Sequence, residues 1–223
     1  MLEKTDRVWT VGSCFAENIH KSLTKHGVAS ASFGLTERAN SPPAIRALFE
    51  RLEAPGDDNS AMAEARAFVA AAKCAVVTVG VGAAQFLPDG GFAFHATDDV
   101  GTWRPLEVEE AERDLRLTME CLWRMNPQAF VVLTLSPVPL NRASWNSSGV
   151  VADCVSKSTL RVAIDRYLRS NPGAVVYWPA FEIVRWLGAH IPGHFGGDDA
   201  LQRHVTLSVV DTVTELFIES YVK

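Results

Sequence analysis

Five short apolar runs, most of them rich in valine, recur along this chain and are separated by segments with a helical pattern. The runs occupy residues 8–11, 28–32, 75–79, 130–135 and 174–178. Continuous valine-rich runs are typical of parallel strands that are buried on both faces beneath covering helices. The pattern therefore predicts an open α/β fold with a five-stranded parallel sheet.

Helical segments alternate with these strands. They are predicted at residues 15–26, 43–52, 61–72, 106–125, 156–169, 180–187 and 207–221. Ser156 and Thr206 stand where N-cap residues of two of these helices would lie. Two stretches lack a regular period. Residues 83–105 contain Asp89-Gly90-Gly91, which predicts a hairpin tip, and residues 139–155 predict a loop.

Composition and charge limit the number of domains, the kinds of partner and the cellular compartment that are expected for this chain. The 223 residues are 48% hydrophobic, so we expect one folded domain over residues 1–223 with a full core. The net charge is −5 and there is no basic tract, which argues against nucleic acid or an anionic membrane as a partner. With neither a secretory leader pattern nor CxxC spacing among the four cysteines, a cytoplasmic protein with reduced thiols is expected. The pattern favours no particular oligomeric state.

The candidate chemistry begins at Gly12-Ser13, between the first predicted strand and the first predicted helix. A sharp strand-to-helix turn exposes a serine hydroxyl at the sheet edge, beside unpaired helix N–H groups that can face an anion. Ser13 is thus a candidate nucleophile, and its backbone N–H is a candidate oxyanion donor. The plain alternative is an ordinary N-cap serine. Cys14 is a rival nucleophile, expected to point inward.

A serine nucleophile needs a base and a group that orients the base. His204 is the best candidate base, because it lies in a loop directly before the terminal helix. An acidic partner is available at Asp198 or Asp199, although both are equally consistent with solvated loop carboxylates. His190 and His194 have a spacing that suits metal ligands on a helix, but Pro192 opposes a helix there, so no metal site is predicted.

Further candidates follow the other strands. Gly34, Gly80 and Asn40 are candidate donors for the oxyanion hole, and Gly34 is equally explained as a turn residue. His95 lies in a long loop that could approach the same edge and is a candidate substrate-binding residue. No cofactor is implied by this set.

Lys157 and Arg161 are four residues apart on a predicted helix, so both side chains can face the same way. In the first turn of a helix a cation opposes the macrodipole, and an anion held between the two cations would offset that penalty. The anion is either a substrate group, which makes both residues candidate substrate-binding residues, or an internal Asp or Glu. Among the tryptophans, Trp103 and Trp145 lie in long loops, where they would stack on a sugar or pack a loop onto the body.

Several blocks of sequence resemble the GSCFA family. They are GSCFAENI at 12–19, FG at 33–34 followed by NSP at 40–42, TVG at 78–80, TLSPVP at 134–139, SKSTLR at 156–161 and YWPAFE at 177–182. The blocks occur in family order. The family's last block, Asp-x-x-His-Pro-Ser, is similar to residues 201–206, with His204 aligned and Leu201 in place of the acid.

The resemblance implies an SGNH-hydrolase-like fold, a three-layer α/β/α sandwich with a five-stranded parallel sheet of flavodoxin-like topology. It also implies esterase or acyl-transfer chemistry, with Ser13 as nucleophile and His204 as base. The expected substrate is an acylated carbohydrate or another small ester. Leu201, together with the reduction of the family's Asn-Cys-His segment to Ala93-Phe94-His95, motivates an alternative. In that alternative the chain is a non-catalytic ligand-binding module that has lost the catalytic acid.

Overall fold

Seven β-strands are present in the part of the chain that this computed structural model describes, which is residues 1–34, 40–54, 60–93, 101–140, 143–188 and 190–223. They are β1 (Val8–Gly12), β2 (Ser30–Gly34), β3 (Cys74–Val79), β4 (Ala83–Phe86), β5 (Thr102–Pro105), β6 (Phe130–Leu135) and β7 (Val175–Trp178).

Five of the strands form one parallel sheet in the order β2-β1-β3-β6-β7, and β4 pairs with β5 in a separate antiparallel hairpin. Counted within the large sheet alone, the order is 2-1-3-4-5, which is the flavodoxin-like order. The predicted parallel sheet is confirmed. In this topology the strand order reverses between β1 and β3, and ligands bind in the crevice at the carboxyl ends of those strands.

Helices cover both faces of the sheet. They are α1 (Cys14–Lys25), α2 (Pro42–Glu53), α3 (Ser60–Ala71), α4 (Val108–Met125), α5 (Gly149–Ser170), α6 (Ala180–Glu182), a π-helical turn (Ile183–Leu187) and α7 (Leu207–Tyr221). In one apolar cluster, the helices α2, α3, α4 and α5 pack against strand residues such as Val77 and Leu133. A second joins α1 and α7 with Val76 and Val132. Because strand side chains alternate between faces, the sheet lies between two helix layers, and the predicted three-layer sandwich is confirmed.

The start of α5 differs from the prediction. This helix begins at Gly149, so residues 149–155, predicted as loop, are helical and Ser156 lies inside the helix. Gly149 and the β-branched Val150 and Val151 have poor helix propensity, which hid the first turns. The Ser156 hydroxyl accepts a hydrogen bond from the Gly82 N–H at 2.7 Å instead of capping the helix.

Residues 83–105 contain more regular structure than expected, since β4 and β5 pair there. The hairpin tip predicted at Asp89-Gly90-Gly91 is confirmed as a tight turn. The Leu87 N–H donates to the Gly91 carbonyl, and Phe86 and Phe92 form an antiparallel bridge. Among the described residues, no helix combines the length and apolar character that crossing a bilayer requires.

Candidate active site

β1 ends at Gly12, where the chain makes a turn that requires glycine. Gly12 has φ +130°, and a Cβ atom there would lie 1.9 Å from the backbone oxygen of Thr78. The close approach arises because Gly12 pairs with Thr78 of β3 on one side and with Gly34 of β2 on the other. The carboxyl ends of three neighbouring strands therefore converge at the entrance to α1.

Ser13 occupies the N-cap of α1. Its Oγ accepts a hydrogen bond from the Phe15 N–H at 3.2 Å, and the residue is only 3% exposed. The N-cap interpretation of Ser13 is therefore correct as local structure, and it is compatible with a nucleophile because an N-cap hydroxyl keeps its proton to donate. Cys14 follows as the first residue of the helix and is half-buried.

Two contacts between α1 and α7 fix the relative direction of these helices. The Ser22 hydroxyl donates to Asp211 at 2.7 Å, and His26 lies 3.7 Å from Glu215. Both pairs have the same sequence separation and are one turn apart, so the two helices run parallel. Their N-terminal ends therefore lie at the same end of the fold, which is also where Ser13 follows β1.

His204 lies just before α7, at that same end. Its Nδ1 is 2.5 Å from Oδ2 of Asp199, and the hydrogen bond to His204 is the main cause that lowers the pKa of the Asp199 carboxyl. A second oxygen of Asp199 accepts from the Leu201 N–H. The tight turn includes Ala200 with φ 60°, in the left-handed region. An acid five residues before His204 thereby contacts the imidazole, although Leu201 stands three residues before it.

Asp198 has a different contact. Its carboxylate accepts a hydrogen bond from the Leu207 N–H at 2.6 Å and so caps α7. Thr206 occupies the N-cap position, as predicted, but its hydroxyl makes no capping bond and donates to the Gly193 carbonyl. Of the two candidate carboxylates, Asp199 is therefore the one in contact with His204.

The candidate oxyanion donors have unequal surroundings. Gly34 lies beside Gly12 at the end of β2. The Gly80 N–H already donates to the Asn40 backbone carbonyl at 3.0 Å, so the expectation that this N–H is open to an oxyanion is wrong. The Asn40 side chain is buried directly against Gly80, because a Cβ added to Gly80 would lie 3.0 Å from the Asn40 amide. His95 lies outside the described residues.

Lys157 and Arg161 do not share an anion. Arg161 pairs with Glu182 at 2.8 Å and lies over the ring of Tyr177. For Arg161, the partner is therefore an internal carboxylate, as in the second of the two alternatives. Lys157 is buried and donates to the Gly80 carbonyl at 2.6 Å, and burial lowers its pKa to about 8. The expectation that Lys157 opposes the macrodipole in a first helical turn is wrong, since it lies two turns inside α5.

The family of the chain follows from comparison with known sequences. The model of the GSCFA family matches residues 50–217, which is most of the chain and includes His204. The chain belongs to the GSCFA family. The matched range begins after the Gly12-Ser13 turn. No curated protein sequence matches this chain.

Solved structures resemble this GSCFA chain in fold at low sequence identity. A protein described as a GDSL-like lipase, from Parabacteroides merdae, has a TM-score of 0.57 and 13% identity over 99% of this chain and 97% of its own. A carbohydrate esterase family 2 enzyme with a carbohydrate-binding domain, from Myceliophthora fergusii, has a TM-score of 0.60 and 10% identity over 99% of this chain and 66% of its own. A variant of an acetyl-xylooligosaccharide esterase from Geobacillus has a TM-score of 0.51 and 11% identity over 100% of this chain and 98% of its own. The GSCFA chain thus has the fold of GDSL-like esterases.

One buried polar cluster of this GSCFA chain could not be predicted from its sequence pattern. The buried Asp153 accepts hydrogen bonds from the Leu140 N–H and from Arg185, both at 2.9 Å, and Arg185 also donates to the Pro137 carbonyl. The cluster fastens the segment after β6 to α5 and to the π-helical turn. It was missed because residues 139–155 were predicted as a loop. Among the described residues, no group of three potential metal-ligating side chains is present.

Proposed function

We propose that this GSCFA-family chain is a serine-dependent ester hydrolase or acyltransferase. Ser13 is the nucleophile, His204 is the general base, and Asp199 orients the imidazole. The observation that carries the proposal is the Asp199–His204 contact, which lies at the end of the fold where α1 begins with Ser13. A carboxylate on Nδ1 leaves Nε2 of the imidazole to accept the serine proton.

The proposed reaction has two steps. Ser13 Oγ attacks the ester carbonyl while its proton moves to His204. The oxygen–carbonyl bond to the alcohol then breaks, and the alcohol leaves with that proton. Water or an acceptor alcohol next attacks the acyl-enzyme by the same route, which restores Ser13. The N–H groups of Ser13 and Gly34 and the Asn40 amide are the proposed donors to the oxyanion, each of the kind whose loss lowers turnover by about 10²–10³-fold.

A carbohydrate ester is the proposed substrate class. Trp103 and Trp145 stack on each other with ring centroids 6.1 Å apart and an interplanar angle of 24°, and both remain half-exposed. They lie in the connections that follow β3 and β6, which leave the sheet at the same carboxyl edge as Ser13. Flat, partly exposed indoles are suited to stacking on a sugar ring. Two structures with a similar fold are esterases of carbohydrates.

Hydrolysis assays with p-nitrophenyl acetate and an acetylated xylooligosaccharide test the proposed reaction. We expect wild-type protein to release acetate and Ser13→Ala to lose that activity to the buffer background, because the nucleophile is gone. Ser220→Ala, a serine on the exposed surface of α7, is the matched control and should behave as wild type. Equal rates for wild type and Ser13→Ala would refute the proposed mechanism.

The tryptophan pair is tested by comparing a large and a small ester. Trp103→Ala and Trp145→Ala should each raise KM for the acetylated xylooligosaccharide by about 2–12-fold, the range that corresponds to 0.5–1.5 kcal/mol of stacking. Kinetics with p-nitrophenyl acetate should change little. Trp186→Ala removes an exposed tryptophan from the π-helical turn and serves as control. An equal loss with both esters would mean that the pair only packs the β4–β5 hairpin, where Trp103 lies on β5, against the segment after β6.

The alternative of a non-catalytic binding module was motivated by Leu201. The Asp199–His204 contact supports the catalytic alternative, because a carboxylate reaches the imidazole by another path. Binding of the acetylated xylooligosaccharide without turnover above the Ser13→Ala variant would favour the binding module instead.

A further inference from the structure

Lys157 is a charged side chain in an interior position. It is 3% exposed, and its ammonium donates to the Gly80 carbonyl at 2.6 Å. Among the residues that the structure describes, the charged and titratable groups that act electrostatically on it are Asp153 on α5, Arg185 on the π-helical turn and Cys14 at the start of α1. Both oxygens of Asp153 already accept hydrogen bonds, from the Leu140 N–H and from Arg185.

Burying a charged ammonium costs solvation free energy, unless interactions of the charge offset that cost. Desolvation is the largest of the effects that lower the pKa of Lys157 to about 8. A neutral side chain of the same length would fill the space without this penalty, so packing alone does not explain the lysine. One carbonyl acceptor also uses only one of its three N–H donors.

The position of Lys157 relates it to the Ser13 turn. Its partner Gly80 donates an N–H to the Asn40 carbonyl, so Lys157, Gly80 and Asn40 form one hydrogen-bonded chain. Gly80 follows Thr78 by two residues, and Thr78 pairs with Gly12, so Lys157 holds the backbone next to the Ser13 turn. Cys14, the first residue of α1, is also among the groups that act electrostatically on the Lys157 ammonium.

We propose that Lys157 is a positioning residue for the Ser13 turn. Its ammonium holds the Gly80 carbonyl, and with it Asn40, and it stabilises negative charge that forms at the start of α1. The catalytic part of this inference rests on the proposed function, in which that charge is the oxyanion formed from the ester carbonyl. The electrostatic part does not, because the Cys14 thiolate reports the same potential.

The experiment compares Lys157→Met with Lys21→Met, which removes an exposed lysine from α1. Two rates are measured at pH 7 in folded protein: modification of Ser13 by a fluorophosphonate and alkylation of Cys14 by iodoacetamide, each located by peptide mass spectrometry. We expect Lys157→Met to slow both by about tenfold or more, and Lys21→Met to stay within about twofold, because an exposed charge is screened.

The two readouts separate the two claims. If wild-type Ser13 does not react but Cys14 alkylation slows in Lys157→Met, the electrostatic inference stands and the proposed function is wrong. If Ser13 reacts at equal rates in wild type and Lys157→Met, the positioning role is wrong while the proposed function stands.

A wild-type measurement covers the case in which Lys157→Met does not fold. The Cys14 alkylation rate is then followed from pH 6 to pH 10. Because burial lowers the pKa of Lys157 to about 8, the inference predicts a profile with two proton steps. A profile described by one proton would overturn it.

Discussion

Replacing His204 by alanine is expected to lower ester turnover by about 10²–10⁴-fold, the usual contribution of a positioned general base. Asp199→Asn should also lower turnover strongly, because the amide N–H of asparagine can donate to Nδ1 and so stabilise the tautomer with its proton on Nε2, which cannot accept the serine proton. The loss should appear in kcat at saturating p-nitrophenyl acetate, since neither residue is proposed to bind the leaving group.

Two matched variants make this prediction specific. His190→Ala removes an exposed histidine before the same loop and should leave turnover unchanged. Asp198→Asn should retain most turnover, and Asp198→Ala should lower the free energy of unfolding by about 0.5–2 kcal/mol, as the loss of a helix cap does. If Asp198→Asn lost more turnover than Asp199→Asn, the assignment of the acid would be reversed.

Gly12→Ala is expected to destabilise the folded state severely. The new Cβ atom would lie 1.9 Å from the Thr78 backbone oxygen, and the backbone would have to keep a φ of +130°. Because β1 and β3 are neighbouring strands within the sheet, neither can move away without breaking the ladder. We expect a loss above about 4 kcal/mol in the free energy of unfolding, measured by urea denaturation.

Gly27→Ala provides the control for backbone strain alone. Gly27 also has a positive φ, +78°, but a Cβ atom there would meet nothing within 4 Å. Its substitution should cost only about 1–2 kcal/mol. Equal losses for Gly12→Ala and Gly27→Ala would show that the contact with Thr78 is unimportant.

The strands of the large sheet were predictable because they are buried and rich in β-branched residues. Runs such as Cys74–Val79 and Phe130–Leu135 have no polar face, a pattern that is typical of central parallel strands. The start of α5 was not predictable, because its stability comes from tertiary contacts rather than propensity. Asp153 and Ser156 each bond a distant segment there. Local sequence contains no trace of those partners.

The residues of the candidate site also divide into some that local sequence predicts and others that depend on distant partners. Ser13 and Gly12 could be proposed from a local turn pattern, and His204 from its place before the last helix. The choice between Asp198 and Asp199 depended on a five-residue turn through the left-handed Ala200, which no propensity favours. Gly80 was misjudged because its N–H has a partner, Asn40, that lies 40 residues earlier in the chain.

Intact-protein mass spectrometry after exposure to a fluorophosphonate tests the central claim most directly. The account predicts one adduct per chain, located on Ser13, absent from Ser13→Ala and formed much more slowly in His204→Ala. Wild-type protein that is folded by circular dichroism and yet leaves Ser13 unmodified, or that reacts equally fast without His204, would contradict it.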